Sequence, residues 1–272
     1  MRDTHLYYRT TLGPSNRVRL EQLSVMIQKR TAKKITLPVE ARIGSGTYGA
    51  IYLLQSGFRG LRNRLQEYPR EITGVKERYV VKIEKVQHKN ASDFCASAAL
   101  NILLGELGIG PENMSEQARL ASEVVLKYND GTHVLKGSSN GSHMMGIIVM
   151  KKYDFDMKHF FSSASYQTIL FQRSTVEHKL SKSIDALYDN GIICSDIKPQ
   201  NILVSIDNHG QVTDARLSDF DTRFCCFHDR IKWKFTGFTQ CMGPQMDKST
   251  TELAKKATKM QICWTTFLFA RL

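Results

Sequence analysis

The strongest constraint on the fold is a change in hydrophobic periodicity near Tyr153. Before that residue, five segments show the apolar pattern of β-strands, and "NASDFCASAALNILLGELGIG" shows helical spacing. The strand segments are "ARIGSG", "AIYLLQ", "RYVVKIEKV", "SEVVLKY" and "MMGIIVMKKY". After Tyr153 the pattern is mostly helical. The sequence therefore predicts an α+β protein in which a small β-rich part precedes a mainly helical part.

The first residues read as a basic leader that ends near residue 38. Within it, "VRLEQLSVMIQ" places Leu20, Leu23, Met26 and Ile27 on one helical stripe. Such a stripe favours a helix docked on its own domain over a membrane or partner anchor. We predict three segments: a basic extension over residues 1–38, a first domain over 39–150 and a second over 151–272.

The helices have recognisable ends. In the first part, Gly108 is a stop signal after the helical segment. In the second part, "STVEHKLSKSIDALYDNG" contains a capping box, Ser174 with Glu177, and its helix should stop before Gly191. One apolar face is expected on this helix, formed by Val176, Leu180, Ile184 and Leu187. Two short strands should follow, around Ile202–Val204 and Arg216–Ser218.

Composition excludes several classes of protein. The chain of 272 residues is 42% hydrophobic and 24% charged, as expected for a folded protein. No apolar run approaches the roughly 20 residues of a membrane span, and no signal peptide is recognisable, so we expect an intracellular protein, cytoplasmic or nuclear. The net charge of +12 is dispersed and no nucleic-acid motif accompanies it. Six cysteines without a CxxC pair indicate neither a disulfide framework nor a zinc finger. Nothing indicates an oligomeric state.

The segment "NGIICSDIKPQNILV" carries groups suited to phosphoryl transfer. Asp196 can accept the proton of an attacking hydroxyl, and Lys198 can neutralise a phosphoryl group in transit. Asn201 can hold a metal from a fixed loop, and Asp219, at the end of the next strand pair, adds the oxygen ligand that Mg²⁺ prefers. Any one of these residues alone would more often be a loop or cap residue.

Two further features concern anion binding in the first part. Gly44, Gly46 and Gly49 in "GSGTYGAI" would let backbone N–H groups approach phosphates, although a turn that joins two strands is equally rich in glycine. Lys82 lies mid-strand among apolar residues, where its ammonium requires an anion unless it reaches solvent at the sheet edge.

Taken together, these motifs resemble those of eukaryotic-type protein kinases. From about Ile43 onward, "GSGTYGAI" is similar to their glycine-rich loop, "VVKI" to their third-strand lysine motif and "SDIKPQN" to their catalytic loop. "SDFD" is similar to their metal-binding tripeptide, and "GFTQCMGPQ" resembles the end of their activation segment. The order and the spacing of all five agree. The resemblance implies a two-lobed protein-kinase-like fold, with a five-stranded antiparallel sheet and one helix in the N-terminal lobe. The mainly helical C-terminal lobe would lack its last helices.

The resemblance also implies roles and cofactors. The cofactors would be ATP and Mg²⁺, and the partner a protein substrate whose acceptor is serine or threonine, because lysine and proline follow the aspartate. Asp196 would be the catalytic base, Lys198 a γ-phosphate contact, and Asn201 and Asp219 the metal ligands. Lys82 would hold the α- and β-phosphates, and the three glycines would cover ATP. Met150 would be the gatekeeper and Lys152 the centre of the hinge at Lys151–Tyr153. Ile43, Ile51, Val80 and Leu203 would enclose the purine, unless all four are simply core residues.

The sequence departs from the family pattern at several positions. Cys194 and Ser195 replace the usual histidine and arginine, so activity should not depend on activation-loop phosphorylation. Asp221 replaces a glycine and adds negative charge beside the metal ligands. The helix of the first part has no glutamate near Ser97–Leu100 to pair with Lys82: its acidic residues are Asp93, a turn early, and Glu106, two turns late. Gln245 stands where the family has glutamate.

Three functions compete for this sequence. The first is an ATP- and Mg²⁺-dependent serine/threonine protein kinase. The second is a pseudokinase that acts as a nucleotide- or partner-binding module, which Asp221 and the missing helix glutamate favour. The third is a small-molecule phosphotransferase of the related fold, which the Lys198-Pro199 pair and the segment "GFTQCMGPQ" disfavour.

Overall fold

The computed structural model describes residues 14–46, 49–56, 58, 78–111, 118–138, 142–163, 166–190, 192–194, 196–221 and 225–227. Ser195 and the segment "GFTQCMGPQ" with Gln245 lie outside these residues.

The described ranges contain four α-helices and eleven β-strands. The helices are α1 (Pro14–Lys29), α2 (Ala91–Glu106), α3 (Met157–Ser163) and α4 (Tyr166–Asp189). The strands are β1 (Ala32–Gly46), β2 (Gly49–Leu54), β3 (Tyr79–Gln87), β4 (Ala118–Tyr128), β5 (Gly131–Lys136), β6 (His143–Lys151), β7 (Phe155–Asp156), β8 (Ile192–Cys194), β9 (Ile202–Ile206), β10 (Val212–Leu217) and β11 (Cys225–Phe227). Short 3₁₀ turns lie at His88–Asn90 and Pro199–Asn201.

The described residues form two compact units. The sheet unit contains Glu21–Ile102 and Glu112–Lys152, and the loop unit contains Leu103–Pro111, the residues from Tyr153 onward and the first turns of α1 up to Leu20. No helix in the described ranges is long and apolar enough to cross a membrane. The predicted domain limits near residues 38 and 150 stay predictions.

The sheet unit is built on six strands in the order β1-β2-β3-β6-β4-β5. All neighbours are antiparallel, and in addition the first half of β1, Ala32–Pro38, pairs in parallel with β4. This pairing joins β1, β2, β3, β6 and β4 into a closed ring. Side chains from one face of these strands fill it with a single apolar cluster: Leu37, Val39, Tyr52, Leu54, Val81, Ile83, Ala121, Val124, Leu126, Met145, Ile147 and Val149.

The sheet differs from the prediction in two places. It has six strands instead of five, because β5 was not predicted: its residues are almost all exposed, so no alternation of apolar and polar residues marks it. In addition, β1 begins at Ala32, earlier than Ala41, where the predicted strand begins. The lysines and Pro38 of this segment suggest a leader, but Leu37 and Val39 are fully buried.

The helices α1 and α2 follow the sequence closely. In α1, Leu20, Leu23 and Ile27 are buried, which confirms the predicted stripe. In the sheet unit, α2 approaches β6 so closely that a Cβ atom on Gly146 would lie 2.4 Å from the ring of Phe94. The helix ends at Glu106, just before the predicted stop at Gly108, whose φ of +71° is the left-handed conformation typical of a helix C-terminus.

The loop unit is of mixed composition in its described part. Two helices accompany a three-stranded sheet, β10-β9-β7, and a two-stranded sheet, β11-β8. In α4, Val176, Leu180, Ile184 and Leu187 are buried as predicted. The predicted capping box at Ser174 is wrong, because α4 begins at Tyr166 and both of its residues lie inside the helix. The described part of this unit therefore combines a longer helix than predicted with short strands.

Candidate active site

The centre of the candidate site is the loop that follows β8. Lys198 donates from Nζ to both carboxylate oxygens of Asp196, at 3.1 and 2.8 Å. Asn201 donates from Nδ2 to the carbonyl oxygen and to Oδ2 of the same aspartate, both at 3.0 Å. Three of the predicted residues therefore meet around one carboxylate, whose orientation is set by two neighbours on its own loop.

Backbone contacts hold this loop in place. Pro199 begins the 3₁₀ turn with the φ that a proline fixes, and the N–H of Asn201 donates to the carbonyl of Lys198 at 2.8 Å. The carbonyl of Asn201 accepts from both the N–H and the hydroxyl of Ser218, at 2.8 and 3.1 Å. Since Ser218 immediately precedes Asp219, these bonds tie the loop to the second predicted metal ligand.

Asp219 has an unusual backbone. Its φ is +61°, and no other non-glycine residue in the described ranges has a positive φ. Such a conformation costs free energy in an L-residue, although aspartate adopts it more readily than most, and strained backbones cluster at active sites. Together with Asp196 and Asn201, Asp219 lines a small cavity of about 10 Å³, and the buried ring of Phe220 forms part of its wall. The cavity has room for about one water molecule or one ion.

The donor atoms at this cavity fit Mg²⁺. Because Asn201 directs its amide nitrogen at Asp196, its Oδ1 is the side-chain atom that can face a cation. The carboxylate of Asp219 supplies a second hard oxygen ligand. The described residues contain no cluster of three histidine, cysteine or acidic side chains. A magnesium ion held here would therefore take its remaining ligands from water or substrate phosphate, as Mg²⁺ usually does.

In the sheet unit, four predicted residues share one face. Val80 and Lys82 are two residues apart on β3, and side chains at that spacing point the same way. Lys82 is opposite Ile51 on β2, and Val80 is opposite Met150 on β6. Val80 is buried, and the other three are partly exposed.

Lys82 has a carboxylate partner on its own strand. Its Nζ lies 3.9 Å from Oε2 of Glu84, and both side chains are 22% exposed. By contrast, Ala98 and Leu100 of α2 are fully buried, and Glu106 binds Arg19 at 2.7 Å. The sequence did not single out Glu84, because the kinase pattern places the partner of this lysine on the helix. In "KIE", the glutamate follows the lysine by two residues, a spacing that places both side chains on the same face of a strand.

The glycine-rich segment connects β1 and β2. Gly46 pairs with Gly49, Gly44 pairs with Ile51, and a register shift lies between Arg42 and Gly44. Ile43, at this shift, is 49% exposed and is therefore not a core residue. A Cβ on Gly49 would lie 2.4 Å from the carbonyl oxygen of Ile83, so packing alone requires glycine there.

Two other predicted nucleotide contacts are placed as follows. The N–H of Lys152 donates to the carbonyl of Arg78 at 2.8 Å, so it cannot also pair with an adenine in this conformation. The prediction for Lys152 therefore depends on its carbonyl oxygen. Leu203 lies on β9, partly exposed, opposite Asp156 and Arg216. Asp221 follows the site, and its carbonyl accepts from the N–H of Cys225 at 3.0 Å.

Comparison with known proteins gives one partial similarity. Over 68 residues the chain is 35% identical to ribosomal protein S6 kinase alpha-2 of Mus musculus and 34% identical to that of Homo sapiens. Each match covers 25% of this chain and only 9% of the relative. No protein-family model matches the chain. A quarter of the chain therefore has a protein-kinase-like relationship.

Proposed function

We propose that this protein transfers the γ-phosphate of ATP to a serine or threonine hydroxyl of a protein substrate. The observation that carries the proposal is the hydrogen-bonded cluster of Asp196, Lys198 and Asn201, with Asp219 on the same small cavity. It supplies a base, a cation and two oxygen ligands within one loop and the segment that follows it.

The proposed reaction uses each group once. The acceptor hydroxyl oxygen attacks the γ-phosphorus, the bond from that phosphorus to the β–γ bridging oxygen breaks, and ADP leaves. Asp196 accepts the hydroxyl proton while Asn201 holds its carboxylate in place. Lys198, which is about half exposed and pairs with Asp196 at 2.8 Å, would neutralise the phosphoryl group in transit. Asn201 and Asp219 would hold Mg²⁺, which would neutralise charge on the phosphates.

The sheet unit is proposed to contribute nucleotide contacts. Lys82, oriented by Glu84, would bind phosphate oxygens, and the glycine-rich segment would cover them with backbone N–H groups. The remaining proposed contacts are Ile43, Ile51, Val80, Met150, Lys152 and Leu203. The partial similarity to a ribosomal protein S6 kinase, over 68 residues, supports a kinase activity in general. An intracellular location stays a prediction.

Transfer of label from [γ-³²P]ATP to a general protein acceptor such as casein, with Mg²⁺ present, tests the proposal. Asp196→Asn should lower kcat by about 10³-fold or more, because it removes the base and keeps the size of the side chain. Asp130→Asn, at the exposed turn between β4 and β5, is the matched control and should retain full activity. Equal rates in wild type and Asp196→Asn would contradict the proposal.

A pseudokinase that acts as a nucleotide- or partner-binding module is the second candidate. Asp221 favours it, since a second carboxylate two residues after Asp219 repels phosphate. ATP binding without transfer in wild type would establish this candidate. Label on a small hydroxyl compound, with none on protein, would instead indicate a small-molecule phosphotransferase.

A further inference from the structure

A large cavity in the described part of the loop unit is separate from the loop around Asp196. It has a volume of about 610 Å³ and lies where α4 faces β10 and the turn that follows α2. A cavity of this size suits a small organic molecule. None of the residues assigned to phosphoryl transfer lines it.

The cavity carries an excess of positive charge. Lys179 and Lys182 line it from α4, and among the described residues neither forms an ion pair. Arg216 also lines it, but its charge is balanced by Asp214, which accepts from Nε at 2.9 and 3.1 Å. Because Asp214 is the one carboxylate among its lining residues, two positive charges stay uncompensated.

The spacing on α4 brings these cations together. Thr175, Lys179 and Lys182 follow one another at intervals of four and three residues, so they share one stripe of the helix. Like charges at this spacing repel each other, and an anion between them would relieve that repulsion. Hydroxyl groups of Ser174 and Thr175 at the same wall can donate hydrogen bonds to phosphate oxygens.

The opposite part of the lining is apolar. Leu107 and Ile109, in the turn after α2, line the cavity together with Ala186 of α4 and Ala215 of β10. Leu107 is 36% exposed, a large fraction for a leucine. A ligand that matches both walls therefore combines an anionic group with an apolar body.

Specific contacts fix the walls of the cavity. Gln172 of α4 is buried, and its Oε1 accepts from the N–H of Val212 on β10 at 3.0 Å. Tyr153 donates from its hydroxyl to Asp214 at 3.3 Å. These contacts tie α4 to β10 and hold Asp214 beside the cavity, and walls held in this way reduce the entropy lost on binding.

We propose that this cavity binds a small phosphate monoester with an apolar body. Lys179 and Lys182 bind the phosphate, and Leu107 and Ile109 contact the body. This site is independent of the proposed phosphoryl transfer, so either proposal can fail alone.

Calorimetric titration of the full chain with phenyl phosphate, in EDTA, tests the proposal. Saturable binding is expected, at least tenfold tighter than for phenol or inorganic phosphate. Lys179→Glu with Lys182→Glu should weaken it at least tenfold. Lys89→Glu with Lys158→Glu, which reverses two exposed lysines elsewhere, should leave it unchanged. Circular dichroism confirms folding, and Lys179→Gln with Lys182→Gln serves if the glutamate pair does not fold.

Three results would overturn the proposal. The first is no saturable binding by wild type. The second is equal binding of phenyl phosphate by wild type and by the variant Lys179→Glu with Lys182→Glu. The third is binding lost in Lys82→Ala with Lys198→Ala instead, which would assign the probe to the proposed nucleotide site. If the first result is obtained, binding of a phosphoserine peptide would indicate that the cavity takes a protein segment instead of a small molecule.

Discussion

The contacts of Asp196 show that residues close in sequence determine part of the site. Its partners Lys198 and Asn201 lie two and five residues away, so a rigid turn begun by Pro199 is enough to bring them together. The sequence could therefore predict this cluster. It could not predict the left-handed backbone of Asp219 or the water-sized cavity, because both depend on how separate segments pack.

Glu84 provides a test of the sheet-unit contacts. Glu84→Gln should weaken ATP binding by up to about fivefold, since partly exposed ion pairs contribute at most about 1 kcal/mol. Glu123→Gln is the matched control, because Glu123 also pairs with lysines of this sheet, Lys34 and Lys136. Calorimetric Kd values check the prediction, with melting temperatures to show that stability is kept. A Kd for Glu84→Gln equal to that of Glu123→Gln would count against the role of Glu84.

Cys95 provides a pH test of the buried face of α2. Burial raises the pKa of its thiol from 9.0 to about 12, so the fold excludes the thiolate that the unfolded chain forms. The stability that the neutral thiol contributes is fully present below pH 9 and is lost as the pH rises toward 12. Relative to Cys95→Ala, wild type should lose up to about 1.4 kcal/mol of unfolding free energy per pH unit in this range. Urea titrations from pH 8 to 11 check this, and parallel curves would contradict it.

Among helices and strands, the sequence predicts those whose apolar residues alternate or repeat at helical spacing. It predicts β3, α2 and the buried face of α4, because their apolar residues repeat regularly. It misses β5, which is exposed, and the first half of β1, whose pairing with β4 is long-range. The sequence also could not predict the charge of the large cavity, since α4 and Arg216 of β10 meet only in the folded chain.

The end of α2 can be tested with two glycines. Gly108 and Gly210 have similar positive φ values, +71° and +75°, so alanine at either position should cost about 1–2 kcal/mol of unfolding free energy. A Cβ at Gly108 would also lie 3.2 Å from Nη1 of Arg216, whereas nothing lies within 4 Å of one at Gly210. Denaturant unfolding should therefore show the larger loss for Gly108→Ala. A larger loss for Gly210→Ala would show that the Arg216 contact is unimportant.

For the whole molecule, each unit carries residues that the proposed function assigns to phosphoryl transfer. The sheet unit presents Lys82 on a face shared with apolar residues, and the loop unit presents Asp196, Asn201 and Asp219 at one cavity. We expect Asn201 and Asp219 to bind nucleotide through Mg²⁺. Stability then becomes linked to ligand, because only the folded chain has this site.

Thermal unfolding with ATP, in the presence and absence of Mg²⁺, tests this claim most directly. Wild type should gain about 2.7 kcal/mol of stability at ATP concentrations a hundredfold above Kd, and the gain should require Mg²⁺. Asp219→Asn should remove most of it, whereas Asp130→Asn should retain it. Stabilisation that does not depend on Mg²⁺, or that Asp219→Asn retains in full, would contradict the account.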